Sequence, residues 1–185
     1  MRALGDERGV ALVLSLMVLL TLSGLVLAFL SVSALEPRIA RNLSDAARAR
    51  YLAEAGLEVG YATLGAAADP DGTWSSLLAA ATPASPWVAL PSLTRTAPPG
   101  LTRAEGTYSV TIRNDSQPGD VALTGEATAD SEAALDVNGV VIMRSTGVFK
   151  DATRTVEVVV TRRAPPPSPD GSIRALCTMS NWREI

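Results

Sequence analysis

The sequence predicts an α+β protein in which a long N-terminal helix, made of a transmembrane half and an amphipathic half, packs on an antiparallel sheet of three or four strands. Residues 10–35 carry no charged side chain, as expected of a helix that crosses a membrane. Residues 38–64 are rich in alanine, leucine, arginine and glutamate, which favour helix. Residues 106–163 contain runs in which apolar and polar side chains alternate, the period of a half-buried β-strand.

The apolar segment is long enough to remain as a membrane anchor. Its 26 residues would make a helix about 39 Å long, and a bilayer core is about 30 Å thick. A secretory signal usually has an apolar region of only about 7–15 residues. Cleavage after Val32-Ser33-Ala34 is the alternative, because signal peptidase requires small residues there. Gly24 and Ala28 form a small-xxx-small pair, which allows another helix to approach closely in lipid.

The amphipathic half of the helix is assigned to residues 36–65. Pro37 should bend or restart the helix, because it removes a backbone donor and clashes with the preceding turn. Beyond it, apolar side chains recur every four residues, at Ile39, Leu43, Ala47, Tyr51, Ala55 and Val59. This half of the helix is predicted to cover the apolar face of the sheet, since the chain offers no other large cover.

Residues 66–105 are predicted to form a proline-rich connecting loop. Asp69-Pro70-Asp71-Gly72 has the composition of a turn, and residues 74–81 could add a short helical turn. Trp74 and Trp87 are expected to pin this loop to the core rather than to bind a ligand, because large aromatic side chains dominate core packing.

The sheet is assigned to residues 106–163. Its first strand has Tyr108, Val110 and Ile112 on one side, alternating with polar side chains. Residues 121–128 are a weaker strand candidate.

Two strong strand candidates follow. Residues 140–149 come directly after Asn138-Gly139, a pair that favours a two-residue hairpin turn. Residues 153–163 come after a connection of only three residues, so these two strands should pair antiparallel. A proline-rich run then ends the sheet, and residues 164–185 are predicted to be a C-terminal tail.

The composition argues against several classes of function. The chain has no histidine, and it lacks a nucleophile elbow, a phosphate-binding glycine loop or a metal-ligand pair, so neither catalysis nor a cofactor is expected. Basic residues alternate with acidic ones instead of forming a patch, so nucleic acid is not an expected partner. The single cysteine, Cys177, is expected to stay unpaired or to pair between chains.

Oxygen-bearing side chains crowd two predicted turns and raise the question of a calcium site. They are Asn114, Asp115 and Asp120 in the first, and Asp130, Glu132, Asp136 and Asn138 in the second. Their spacing matches no known calcium loop, and aspartate and asparagine are ordinary turn residues. No metal site is therefore predicted.

The segment ALEPRIARNLSDAARARYLAEAGLE, residues 34–58, resembles the N-terminal region of PilX-like minor pilins of type IV pili. In that family a Glu-x-Arg is followed by asparagine, then aspartate, then an alanine-rich run that ends in Ala-Glu-Ala. The matching positions here are Glu36, Arg38, Asn42, Asp45 and residues 53–56. Arg8-Gly9, ahead of the apolar helix, is similar to the end of the family's leader.

The resemblance implies a type IV pilin-like lollipop fold and a prepilin leader at residues 1–9. A prepilin peptidase would cut between Gly9 and Val10, and Val10 would be N-methylated. The mature chain would span the bacterial inner membrane once, with a periplasmic C-terminal domain, and then enter the pilus tip or fibre. Its implied partners are other minor pilins and the major pilin, with a tip adhesin as a further candidate.

The residues that the resemblance implicates in assembly are Leu14, Gly24, Glu36, Arg38 and Glu54. Pilins usually carry glutamate at the fifth mature position, where this chain has Leu14. A carboxylate in lipid is costly unless it has a partner, so the exchange eases membrane residence and removes one bond to a neighbouring subunit. We therefore expect this subunit at an end of the fibre, priming assembly or capping the tip. A type II secretion pseudopilin and a membrane-anchored periplasmic binding module are the alternatives.

Overall fold

The structure, a computed structural model, describes residues 6–67, 69, 71–163 and 176–185. The chain divides into two compact units, Met1–Ser44 and Asp45–Ile185. The first contains helix α1 (Asp6–Ser33) and the beginning of helix α2 (Glu36–Ala66). The predicted restart at Pro37 is confirmed, since a turn at Ala34 and Leu35 separates the two helices. Pro37 lies in the first turn of α2, where its missing N–H leaves no helical bond unmade.

The second unit is built on a five-stranded antiparallel sheet whose strands lie in chain order. They are β1 (Val88–Ala89), β2 (Thr107–Asn114), β3 (Val140–Phe149), β4 (Ala152–Arg163) and β5 (Leu176–Glu184). Helix α2 packs on one face of this sheet, and two short helices, α3 (Ser75–Leu78) and α4 (Asp120–Thr124), lie in the connections. The predicted α+β class with a long helix and an antiparallel sheet is confirmed.

The strand predictions are confirmed for β2, β3 and β4, and the last two pair antiparallel across a two-residue turn. The sheet has two strands beyond these three: β1 lies within the predicted loop, and β5 lies within the predicted tail. The short helical turn predicted after Trp74 is α3.

Two local predictions are wrong. Residues 121–128 are not a strand, because α4 forms there between Gly119 and Gly125, whose left-handed backbone bounds the helix at each end. Asn138-Gly139 is not a hairpin turn between paired strands, because β3 pairs with β2 and residues 115–139 separate them. In place of a hairpin, the Asn138 side chain accepts the N–H of Val140 at the start of β3.

The main core lies between α2 and the sheet. It includes Val110 and Ile112 of β2, Val141 and Met143 of β3 and a row of valines from β4. Trp74 is fully buried in this core, and its indole N–H donates to the carbonyl of Leu64, 2.9 Å away. The prediction that Trp74 pins the loop to the core is confirmed.

The opposite face of the sheet holds a smaller core that Trp87 covers. Its indole lies 3.9 Å from the guanidinium of Arg144 and 5.3 Å from that of Arg113, measured to the ring centre. Both distances are in the range of cation–π contacts, so Trp87 is also pinned to the sheet, as predicted.

The prediction that the amphipathic half of the helix covers the sheet is confirmed, but the four-residue stripe is not the side that packs. Ile39, Leu43 and Tyr51 are 65, 71 and 68% exposed. The residues of α2 that are buried instead are Ala49, Leu52, Ala53, Gly56, Leu57, Gly60 and Leu64. This face is richer in small residues, which let the helix come close to the strands.

The closeness of this packing is clearest at Gly147 of β3. A Cβ atom on Gly147 would lie 2.1 Å from the carbonyl oxygen of Ala49 and 2.4 Å from the nitrogen of Ala53. A Cβ on Gly56 would lie 2.2 Å from the hydroxyl of Ser145, so the approach is equally close from the helix side. The bulkier stripe could not make this approach, which is why it remains outside.

Candidate functional site

Helix α1 is apolar on every side and none of its described side chains is buried. Its large apolar side chains from Val10 to Val32 are all more than half exposed. The helical stretch from Gly9 onward is long and apolar enough to cross a membrane. A helix that is hydrophobic all round is stable only in lipid or among other apolar helices. Helix α1 therefore has the length and composition of a membrane anchor.

Three hydroxyl side chains of α1 donate hydrogen bonds to their own helix. Ser15 and Thr21 donate to the carbonyls three residues earlier, over 2.8 and 2.9 Å, and Ser31 donates to the carbonyl four residues earlier, over 2.8 Å. A polar group in lipid is costly when it lacks a partner. These three hydroxyls meet that need without help from a second chain.

The residues predicted for processing and assembly do not converge in the structure. Gly9, Val10, Leu14 and Gly24 lie along α1, and all are exposed. Beyond each helix's own backbone, no described atom lies within 4 Å of the position that a Cβ would take on Gly9 or Gly24. Gly9 and Gly24 are thus open to a second molecule.

Glu36 and Arg38 lie in the first turn of α2, and both are exposed. With about 100° between successive helical residues, Glu36, Ile39, Ala40 and Leu43 share one side of α2, which we call the Glu36 face. Arg38 and Arg41 are more than about 130° away from Glu36 around the helix, by the same geometry. The Glu36 face therefore combines large exposed apolar side chains with one carboxylate and no cation.

A groove lies in the second unit between α2, the 98–105 loop and the β3–β4 turn, with a volume of about 520 Å³. We call it the Tyr51 groove. It is lined by Arg48, Tyr51, Leu52, Ala55, Pro98, Leu101, Ala104, Glu105, Phe149 and Lys150. Its lining is mostly apolar, and its charged side chains are two cations and one carboxylate.

The loop that forms one wall of the Tyr51 groove is a turn stabilised by its own side-chain hydrogen bonds. The carboxylate of Glu105 accepts the backbone N–H of Thr102 over 2.8 Å and its hydroxyl over 2.7 Å. These bonds lower the pKa of Glu105 and keep the carboxylate occupied within the turn. Leu101, which the turn presents, is 45% exposed.

The cations of the groove both lie against the ring of Phe149. The guanidinium of Arg48 and the ammonium of Lys150 are each 5.0 Å from the ring centre. Lys150 also donates to both carboxylate oxygens of Asp45, at 3.0 Å. In the part of the chain that the structure describes, Arg48 takes part in no ion pair. Arg48 is therefore available to an anionic partner.

Glu54, the remaining predicted assembly residue, contacts its own chain. Its carboxylate accepts a hydrogen bond from the Nε–H of Arg50 over 2.9 Å. The guanidinium of the same arginine lies 3.8 Å from the carboxylate of Glu184 and 5.4 Å from the ring centre of Trp182. Glu184 and Trp182 belong to β5. In this monomer, Glu54 thus helps to attach the C-terminal strand to α2.

The carboxylates in the predicted turns mostly accept hydrogen bonds from their own unit. Asp136 accepts the N–H groups of Trp74 and Gly139, each over 2.8 Å. Asp120 forms a buried two-bond pair with Arg113, at 2.6 and 2.8 Å. Burial raises the pKa of Asp136 to about 6, although the amide donors oppose that shift. These hydrogen bonds stabilise the turns. Among the described residues, no three metal-ligand side chains converge on one point.

Cys177 lies at the beginning of β5 and is half-buried. The hydroxyl of Tyr61 donates to its carbonyl, which ties this end of β5 to α2. Burial raises the pKa of the Cys177 thiol, so the reactive thiolate is disfavoured.

Comparison with protein families identifies the N-terminal segment. Residues 8–58 match the family model described as PilX N-terminal, consistent with a PilX-like type IV pilin. No curated protein and no solved structure matches the chain. The resemblance to PilX-like pilins is thus confirmed over residues 8–58, which include most of α1 and the larger part of α2.

Proposed function

We propose that this chain is a minor pilin, a structural subunit rather than an enzyme, which primes assembly of a type IV pilus or caps its tip together with other minor pilins. The observation that carries the proposal is the family match over residues 8–58. The matched region includes the proposed cut site, the apolar helix and the block from Glu36 to Gly56. Its partners would be other minor pilins and the major pilin, and a tip adhesin where one is present.

The exposed apolar surface of α1 supports this role. A prepilin peptidase that cuts between Gly9 and Val10 removes a short leader and leaves the apolar helix on the mature chain. The chain would then wait in the inner membrane with its second unit in the periplasm. When it is drawn into the fibre, α1 exchanges lipid for the apolar helices of its neighbours.

Leu14 supports a position at an end of the fibre. A glutamate at this place would need a partner in lipid and could find it in the subunit already assembled. Leu14 is apolar and exposed and offers no such bond. A subunit without this bond makes one contact fewer with its neighbour, which suits a position at an end of the fibre rather than in its repeating shaft.

The mature N-terminus tests the processing step. We expect mass spectrometry of the chain from cells with a prepilin peptidase to find N-methylated Val10 as the first residue. Gly9→Leu should block cleavage, because a side chain there obstructs approach to the peptide bond, while Gly5→Leu should not. A chain that begins at Met1 would identify a plain anchor, and one that begins at Leu35 a secreted domain. Either result would overturn the proposal.

The position in the fibre is tested by restoring the carboxylate. We expect Leu14→Glu to spread a labelled chain along the shaft in immunogold images of pili, whereas Leu14→Ala should keep the label at the fibre end. Unchanged labelling by Leu14→Glu would show that residue 14 does not set the position.

A type II secretion pseudopilin is the second candidate, because tip pseudopilins also lack the glutamate. Deletion of the gene separates the two machines. We expect loss of surface pili with normal protein secretion. Loss of secretion with normal pili would favour the pseudopilin.

A further inference from the structure

We infer that the Tyr51 groove of one copy receives the Glu36 face of a second copy of this chain, with Glu36 paired to Arg48. The inference goes beyond the proposed function, which names classes of partner but no contact surface. The Glu36 face lies in the first unit and the Tyr51 groove in the second, and the proposed contact joins two separate molecules.

The Glu36 face has the features of a docking ridge. Ile39 and Leu43 are 65 and 71% exposed, and their spacing places them one helical turn apart on the side that carries Glu36. Helix-in-groove recognition uses such apolar anchors at spacings of three and four residues. The apolar side chains would bring binding energy through burial, and the carboxylate would fix the direction of the ridge.

The Tyr51 groove has the matching features. Tyr51 and Leu101 are 68 and 45% exposed and present apolar surface at its opening. Arg48 stands at the same opening, 5.0 Å above the ring of Phe149 and without an ion pair among the described residues. A partner that buries this surface must also supply an anion, because an arginine taken out of water without a counter-charge is strongly disfavoured.

This requirement selects the Glu36 face over the apolar surface of α1. From Val10 to Leu35 the chain has large apolar side chains but no carboxylate, so it would leave Arg48 unpaired. The Glu36 face has one carboxylate beside its two anchors, and Arg38 and Arg41 lie on other sides of the helix. The cations of the groove would therefore meet an anion without facing a second arginine.

The contact joins two different surfaces, so it is heterologous rather than two-fold symmetric. Each pair of copies keeps one empty groove and one uncovered Glu36 face. A subunit of another kind that has the same pattern of carboxylate and apolar anchors could fill the empty groove. The contact can thus start a stack, which either a further copy or such a subunit can extend.

Cysteine cross-linking of the full chain tests the contact. In a Cys177→Ser background, a Leu43→Cys chain and a Leu101→Cys chain are mixed in detergent micelles and oxidised mildly. We expect a disulfide-linked pair of the two chains. The matched control is Arg41→Cys, which lies on another side of the same helix and should cross-link to Leu101→Cys only at the background level.

Charge reversal tests the named ion pair. Glu36→Arg in the first chain, or Arg48→Glu in the second, should lower the yield of the linked pair about tenfold, the effect expected for losing a close charge pair at an interface. The two reversed chains mixed together should regain most of that yield. Arg48→Gln provides a milder variant, and near-ultraviolet circular dichroism checks that each chain is folded.

Three results would overturn the inference. They are cross-linking no stronger than that of Arg41→Cys, a yield that ignores both charge reversals, and failure of the doubly reversed mixture to recover. The first result is the one expected if Ile39 and Leu43 only meet the lipid interface. The N-terminus is determined on the same samples from cells with a prepilin peptidase, so an absent contact with methylated Val10 refutes this inference alone.

Discussion

The two sides of α2 within the second unit differ in how closely they can approach a neighbouring element. The side away from the sheet has Tyr51 at 68% exposure. The side against the sheet combines leucines with small residues: Ala49, Leu52, Ala53, Gly56, Leu57, Gly60 and Leu64. The sheet thus packs on the side where the two backbones can come closest.

Helix α2 therefore has two apolar sides in different environments, one buried against the sheet and one exposed. Close packing across Gly56 and Gly147 forms the core of the unit. The larger side chains on the other side remain exposed to solvent. Exposed apolar side chains on a helix that also has a buried side are typical of an interaction surface.

The largest effect is expected from Gly147→Val. The added side chain would meet the backbone of α2 at Ala49 and Ala53, which cannot move aside without displacing the helix. We expect a loss of ~4 kcal/mol in the free energy of unfolding. Urea titration of the full chain in micelles, followed by tryptophan fluorescence, measures it. Thr146→Val, on the next residue and facing the other side of the sheet, should cost less than ~1.5 kcal/mol.

The second test compares adjacent residues on the two sides of α2. Leu52 is 6% exposed and Tyr51 is 68% exposed. Leu52→Ala should cost ~3 kcal/mol of unfolding free energy, because it leaves a cavity in the core. Tyr51→Ala should change it by less than ~0.5 kcal/mol, because the ring is mostly in solvent. Equal losses in the same urea titration would show that both sides are packed within the monomer.

The third test uses pH to weaken the contacts around Trp74, which binds the C-terminal end of α2. Asp136 binds the N–H of Trp74, which packs on Leu64 of α2, and burial raises the pKa of Asp136 to about 6. The folded chain therefore holds this proton more tightly than the unfolded chain does. That contribution to stability is fully present below about pH 4 and is lost as the pH rises through about 6.

We expect the difference between the thermal unfolding midpoints of the native chain and of Asp136→Asn to change with pH. As the pH rises from 4.5 to 7.5, the midpoint of the native chain should decrease relative to that of the variant. The variant provides the control, because the other carboxylates titrate in both chains. A relative midpoint that rises over this interval would mean that the amide donors outweigh burial at Asp136.

The smallest effect is expected at Gly65, near the C-terminal end of α2. No described atom outside the local helix backbone lies within 4 Å of the position that a Cβ would take there. Gly65→Ala should stabilise the second unit by ~0.5 kcal/mol, because alanine loses less backbone freedom in a helix. A destabilised variant in urea titration would indicate packing on this side as well.

The parts of the fold with strong local patterns were predictable. The uncharged run gives α1, the helix-forming composition gives α2, and the alternation at Tyr108, Val110 and Ile112 gives β2. The side of α2 that packs was not predictable from periodicity, because Gly56 and Gly60 do not register as hydrophobic. Only Gly147, which is distant in sequence, makes that side the better fit.

Strand β5 and the groove could not be predicted for a related reason. From Thr178 to Glu184 every residue of β5 is exposed. The strand is held by its pairing with β4 and by the buried carboxylate of Glu157, which binds Arg144 and Arg183. Such a strand has no apolar alternation to reveal it. The Tyr51 groove likewise joins Tyr51, Leu101 and Phe149, which meet only in the folded chain.

The hydroxyls of α1 have a consequence for the transfer of the helix between environments. Because Ser15, Thr21 and Ser31 donate to carbonyls of their own helix, these bonds travel with the helix wherever it goes. Lipid tails and apolar protein are then nearly equivalent solvents for them, since neither has to provide a hydrogen-bond partner. These three bonds therefore do not oppose a transfer of the helix in either direction.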